Sequence, residues 1–264
     1  MMNKLTRRFL LALSFLTVLP LPRFLSQKES EKYEDIGTDL SKASIFFPLI
    51  GLLIGIILFV AAALLEKTGL PLYLETGLIL ILWVALSGGL HLEGLADMVD
   101  GFSGGQNREE ILHIMKDGSI GAKGAISLIL FILLKYLLLF GLAEAGNIGA
   151  LLLAPMMGRW AMVITGYLGK PASPANSLTR MFTSYLGKKE LLIATIFTAA
   201  FGLFIILFWP ANYFLLLFLF LIIISITLGI IACSNRKIKG ICGDVIGAIS
   251  EISELVVLLI SMLY

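Results

Sequence analysis

Glu93, Asp97 and Asp100 stand at i, i+4 and i+7 in the stretch GGLHLEGLADMVDG at residues 88–101. On a helix, where successive residues rotate by ~100°, these carboxylates fall within an arc of about 60°. His91 points roughly the opposite way on the same wheel. Like charges on one stripe repel and raise each other's pKa, which destabilises the helix unless something neutralises them. A hard divalent cation does this well: Mg²⁺ takes oxygen ligands and keeps positions for water and phosphate oxygens. The plain competing reading is a solvated acidic face, or carboxylates paired with Lys or Arg. Against it, the stripe abuts an apolar run, contains no intervening base and is bracketed by glycines that admit close ligand approach. Glu93, Asp97 and Asp100 are therefore the expected Mg²⁺ ligands.

Anion partners lie nearby. Arg108, Lys116 and Asp117 are followed by Gly118, Gly121 and Gly124. Glycines beside a base suit phosphate contact, although this spacing is not a P-loop. More charges interrupt the apolar runs: Lys135, Arg159, and Glu251 with Glu254 one turn apart, with Asp244 ahead of them. At such depths a charge costs several kcal/mol unless it pairs or faces water. Two readings stay open, a substrate role for Lys135 and Arg159 or ion pairs with Glu251 and Glu254. Cys233, Cys242, His91 and His113 lack the spacing of a zinc or disulfide framework.

The elements that must position these residues are membrane helices. Of 264 residues 58% are hydrophobic and 14% charged, and the mean hydropathy is +0.97. A soluble domain carries about 25% charged residues, so this chain has too little charge to cover a water-facing surface. A net charge of +2 without a long basic stripe argues against a nucleic-acid partner. Seven runs are long enough to span: 44–65, 72–90, 121–143, 148–168, 191–209, 213–233 and 245–263. The apolar run 9–19, preceded by Lys4, Arg7 and Arg8 and closed by Pro20 and Pro22, is too short to span. It lacks a small-residue cleavage site and reads as a retained interfacial helix.

Seven basic residues fall in the first 43 positions, three in or beside 91–120, four in 169–190 and three in 234–244. These 17 of the 20 Lys and Arg sit on alternate connections that share one side. The positive-inside rule assigns that side to the cytoplasm and residue 264 to the outside. The expected fold is an all-α polytopic bundle in the cell (inner) membrane, one domain over 1–264. Within it, 1–43 forms a cytoplasmic or interfacial segment and 91–120 the cytoplasmic active-site segment. Glycine-rich spans also allow the close helix contacts of a homo-oligomer.

The chain resembles a known family. GGLHLEGLADMVD at 88–100, IMKDGSIGAKGA at 114–125 and GICGDVIGAISEISE at 240–254 together look like cobalamin synthase, the adenosylcobinamide-GDP ribazoletransferases. FLTVLPLP at 15–22 and FPLIGLLIG at 47–55 are similar to that family's opening. Two departures stand out. Glu93 replaces the family's usual aspartate, and Lys116-Asp117-Gly118 replaces its lysine-aspartate-serine. The resemblance implies a Mg²⁺-dependent transfer in which a hydroxyl of α-ribazole, or of its 5′-phosphate, attacks the phosphate on a GDP-activated corrinoid, and GMP leaves. It implies Asp117 or Asp244 as the residue that orients or deprotonates that hydroxyl. His91, Arg108, Lys116, Lys135, Arg159 and Arg180 are the candidate substrate contacts.

Two other classes remain. A CDP-alcohol phosphotransferase would want arginine after alanine where this chain has Ala96-Asp97. A secondary transporter would show related halves, and the sequence contains no internal repeat.

Overall fold

In hydrocarbon every backbone polar group must be satisfied within its own segment, so apolar runs of this length must coil as helices. The computed structural model describes residues 3–19, 33–173, 178–208 and 213–263. Its elements are α1 (Lys4–Leu16), α2 (Tyr33–Ala43), α3 (Phe47–Leu65), α4 (Leu72–Ser87), α5 (Leu90–Gly104), α6 (Arg108–Ile114), α7 (Ala122–Glu144), α8 (Ala150–Leu168), α9 (Leu178–Ser184), α10 (Lys188–Phe208), α11 (Tyr213–Ile238) and α12 (Gly243–Leu263). Six stretches are long and apolar enough to cross a membrane, and a seventh arises if α4 and α5 count as one broken span. The all-α polytopic class is as expected. Pro20 and Pro22, Arg23, Lys28 and Lys32, Trp209 with residues 210–212, and Tyr264 lie outside the described residues.

The second expected span differs in kind. Gly88 and Gly89 adopt φ of 64° and 71°, a left-handed pair that side chains with a Cβ resist. The chain leaves α4 at Ser87 and re-enters helix at Leu90 bent by 85°. At 1.5 Å per residue α4 reaches about 24 Å. α5 then runs nearly at right angles to α4 and meets the N-terminal ends of α7 and α12.

α8 and α12 form the centre. Sixteen of the 19 residues of α8 are buried. α3 reaches α8 because Gly51 and Gly55 have no side chain: a Cβ would lie 2.3 Å from Pro155 O and 2.6 Å from Leu151 O. Small residues four apart let membrane helices approach this closely. At the N-terminus, the Asn3 side chain caps α1 by accepting the Leu5 N–H at 3.3 Å. Arg7 and Arg8 reach Asp39 of α2 at 3.1 and 3.2 Å. Phe15 stacks on Phe47 with centroids 5.8 Å apart, and the Val18 N–H donates to Leu86 O at 3.0 Å. α1 is thus docked against the bundle.

Four charges are sealed between α7, α8 and α12. Lys135 Nζ donates to Glu251 at 3.0 Å and Glu254 at 2.6 Å, and lies 4.0 Å from the Trp83 ring centroid. Arg159, with no exposed surface, contacts the other oxygen of Glu254. Two cations face two anions, so the formal charge cancels where solvation is poorest. Removing one partner of a buried pair leaves a bare charge and costs about 3–5 kcal/mol. Lys135→Met should lower unfolding stability in detergent by that amount, and Lys135→Met with Glu251→Gln should recover most of it. Unfolding midpoints of the two variants measured side by side decide the point.

Candidate functional site

α5 crosses the N-terminal ends of α12 and α7, and two contacts hold it there. At Gly94, α12 comes so near that a Cβ would lie 2.8 Å from Asp244 Cα. At the far end, the buried Asp100 carboxylate accepts the Gly121 N–H and the Gly124 N–H, each at 2.8 Å. α7 has no side-chain cap of its own. Asp100 therefore satisfies two otherwise unpaired amides and sets a negative charge at the positive end of the helix dipole. Lys237 and Lys123 donate to Phe102 O and Ser103 O at 2.6 and 2.8 Å, tying down the C-terminal carbonyls of α5.

Glu93 lies exposed and Asp97 half-buried on this ledge, and α12 adds Asp244 to them. Asp97 is pushed up to about 6 from 3.8, first by burial and then by the charges of Asp244, Glu93 and Asp100. Among the described residues, none of Glu93, Asp97 or Asp244 has a Lys, Arg or His within ion-pair distance. Cys242 Sγ lies 3.5 Å from Asp244 Oδ2. Burial and that carboxylate push the thiol up to about 12, so it stays protonated.

The three expected metal ligands sit differently: both Asp100 oxygens accept amide hydrogens from α7, while Glu93 and Asp97 lie on the ledge with Asp244 of α12 near them. Among the described residues no three His, Cys, Asp or Glu side chains converge into a metal cage. The donor chemistry still fits Mg²⁺, which keeps several waters and is held by one or two carboxylates plus substrate phosphates rather than by an all-protein cage.

The candidate substrate contacts separate. Lys135 and Arg159 belong to the buried ion network, which favours the pairing reading. Arg108 is a clamp: its guanidinium donates to Ile238 O at 3.0 Å and to Ala172 O, fastening α6 to the end of α11 and to the segment after α8. Lys116 is exposed on the turn after α6, as is Asp117, which accepts the Ser119 hydroxyl. Arg180 is exposed on α9.

His91 is 3% exposed and packs against α12 at Gly247. Burial, then Arg159 and Lys135, pull its pKa down to about 3, so the ring is neutral. It lines a cavity of ≈ 150 Å³ between α1, α5, α8, α9 and α12, whose wall includes Asp244. Among the lining residues that the sequence did not mark as candidates are Thr179 and Phe182 of α9. α9 is positioned by Ser41 Oγ, which donates to Phe182 O at 2.7 Å, and by Phe182 stacking on Phe47 at 5.5 Å. No local signal announces them, because their place depends on contacts about 140 residues apart in sequence.

A family model described as cobalamin-5-phosphate synthase matches residues 8–262. Proteins named adenosylcobinamide-GDP ribazoletransferase are similar over nearly the whole chain. That of Acinetobacter baumannii is 36% identical, covering 95% of this chain and 94% of its own length. That of Pseudomonas putida is 35% identical, covering 95% and 96%. That of Caldanaerobacter subterraneus is 31% identical, covering 95% of each. No solved structure matches.

The raised carboxyl of Asp97 has a consequence for stability. A folded-state pKa above the unfolded value means the folded chain holds that proton more tightly. The contribution is full below 3.8 and is lost as pH rises through about 6. Metal-free protein in detergent should show a thermal midpoint that falls as pH rises across this window, and Asp97→Asn should flatten the slope. An identical slope in the variant would remove Asp97 as its source.

Proposed function

The chain belongs to the cobalamin-5-phosphate synthase family, and from that premise we propose that it is a phosphotransferase acting on adenosylcobinamide-GDP and ribazole. The observation that carries the site assignment is the ledge of Glu93, Asp97 and Asp244, three neighbouring carboxylates without a cationic partner among the described residues. Such a group accepts a divalent cation and, through it, a diphosphate.

In the proposed reaction a ribazole hydroxyl oxygen bonds to the phosphorus attached to the corrinoid. The P–O bond to GMP breaks, GMP leaves with the electron pair, and the hydroxyl proton passes to a base. Phosphoryl transfer of this kind depends chiefly on positioning and on neutralising developing charge. Bound Mg²⁺ would supply that neutralisation. Glu93 and Asp97 would hold it from α5. Asp244, from α12, lies close enough to Asp97 to raise its pKa and lines the adjoining cavity, and is the carboxylate we assign to orient the hydroxyl or accept its proton. Lys116 is the exposed base we assign to phosphate oxygens. Asp100 acts at one remove, keeping α5 in register with α7. Arg159, Lys135 and Arg108 serve the bundle.

We assign the rim that carries α5 to the cytoplasmic side of the cell membrane, following the bias of Lys and Arg among the connections.

Purified protein given adenosylcobinamide-GDP and ribazole should release GMP with Mg²⁺ and stop when EDTA is added. Asp97→Asn should lower the rate by about 100-fold or more, the scale of losing a charge-stabilising group, while membrane insertion stays intact. Glu93→Asp should keep substantial activity. Near-normal turnover in Asp97→Asn would remove the ledge from the chemistry.

A further inference from the structure

We propose that the cavity beneath the ledge seats the aromatic base of the acceptor nucleoside, with His91 Nε2 as its hydrogen-bond partner. This rests on the reaction proposed above and adds which part of which substrate lies where.

Size and lining come first. The cavity holds ≈ 150 Å³ and its apolar wall is built by Phe15, Leu90, Met162, Phe182 and Ile246. An apolar cavity of about that volume takes one aromatic ring system. A corrin macrocycle is far too large for it. Ligand sites are mostly apolar with a few placed polar groups, and here those are His91, Thr179 and Asp244.

His91 supplies the second, independent observation. Its Nε2 is buried and has no hydrogen-bond partner among the described residues. An unpaired buried polar atom is costly, and a ligand that pairs with it recovers that loss. Ribazole is a ribosyl benzimidazole, whose base offers one free ring nitrogen, an acceptor. The imidazole of His91 with its proton on Nε2 donates to it. Guanine, the base on the donor side, presents several donors and acceptors along one edge, and an apolar wall would leave most of them unpaired.

Asp244 joins the two parts of the site. It lines the cavity and also stands beside Asp97 on the ledge. A base held in the cavity puts its ribose at Asp244, where a hydroxyl meets the acidic group.

The test measures KM for ribazole and for adenosylcobinamide-GDP separately in wild type, Ile246→Phe and Ile246→Ala, all in the full-length protein. Filling the cavity with Ile246→Phe should raise KM for ribazole by about tenfold or more, within the range one apolar group gives in a tight pocket. KM for the corrinoid should stay unchanged. Free 5,6-dimethylbenzimidazole should inhibit wild type competitively against ribazole, and Ile246→Phe should lose that inhibition. Ile246→Ala should shift preference toward a bulkier naphthimidazole riboside, and it decides the matter if the Phe variant does not fold. His91→Phe should raise KM for ribazole, and His91→Gln, which keeps a donor, should restore it in part. If KM for the corrinoid moves instead, or neither KM moves, the cavity does not seat the acceptor base. A wild type that releases no GMP overturns the reaction rather than the cavity assignment.

Discussion

The site depends on one carboxylate whose two oxygens are both engaged by the start of a neighbouring helix. Asp100 accepts two amide hydrogens at the start of α7, and so pins the end of a helix that has already turned 85° away from α4. At the other end, Gly94 lies against the backbone of Asp244. α5 is held at both places, and what lies between them is the acidic ledge. Without the left-handed pair Gly88-Gly89, α4 and α5 would form one straight helix, and Glu93 and Asp97 would project away from α12. The bend converts a stripe on one helix into a site shared by two.

Charge is sorted by depth. In the core, Lys135, Arg159, Glu251 and Glu254 cancel one another. Such a network resists disruption because any single loss strands a charge in a poor solvent. On the rim, Glu93, Asp97 and Asp244 have no cationic partner among the described residues. The chain therefore spends its buried bases on structure and keeps its excess negative charge where water, a cation or a substrate can reach it. Cys242 and His91, both neutral, line the boundary between the two zones.

Much of this was legible in the sequence. Hydropathy located the spans to within a few residues, since spanning length is fixed by hydrocarbon thickness. The acidic stripe was legible because helix periodicity places i, i+4 and i+7 together. A helical wheel, however, shows angle and hides rise. Asp100 is seven residues from Glu93, about 10 Å along the axis, and at that distance it meets α7 instead of its sister carboxylates. Asp244 was recognised as a candidate, but its arrival beside Asp97 is a tertiary contact that no local pattern encodes. The same holds for Lys135 and Arg159: residue type and depth marked them as consequential, and only the packing of α7, α8 and α12 chose pairing over substrate contact.

The bases of the rim can be sorted by what they already hold. Arg7 and Arg8 are held by Asp39, and Arg108 by two backbone carbonyls. Lys123 and Lys237 are drawn to the last carbonyls of α5. These two lysines sit at the negative end of that helix, while Glu93 lies in its first turn at the positive end, an arrangement worth about 0.3–1 kcal/mol per charge. The helix dipole thus eases the crowding of carboxylates near its start, yet it cannot cancel three of them. The remaining repulsion is what a divalent cation would relieve.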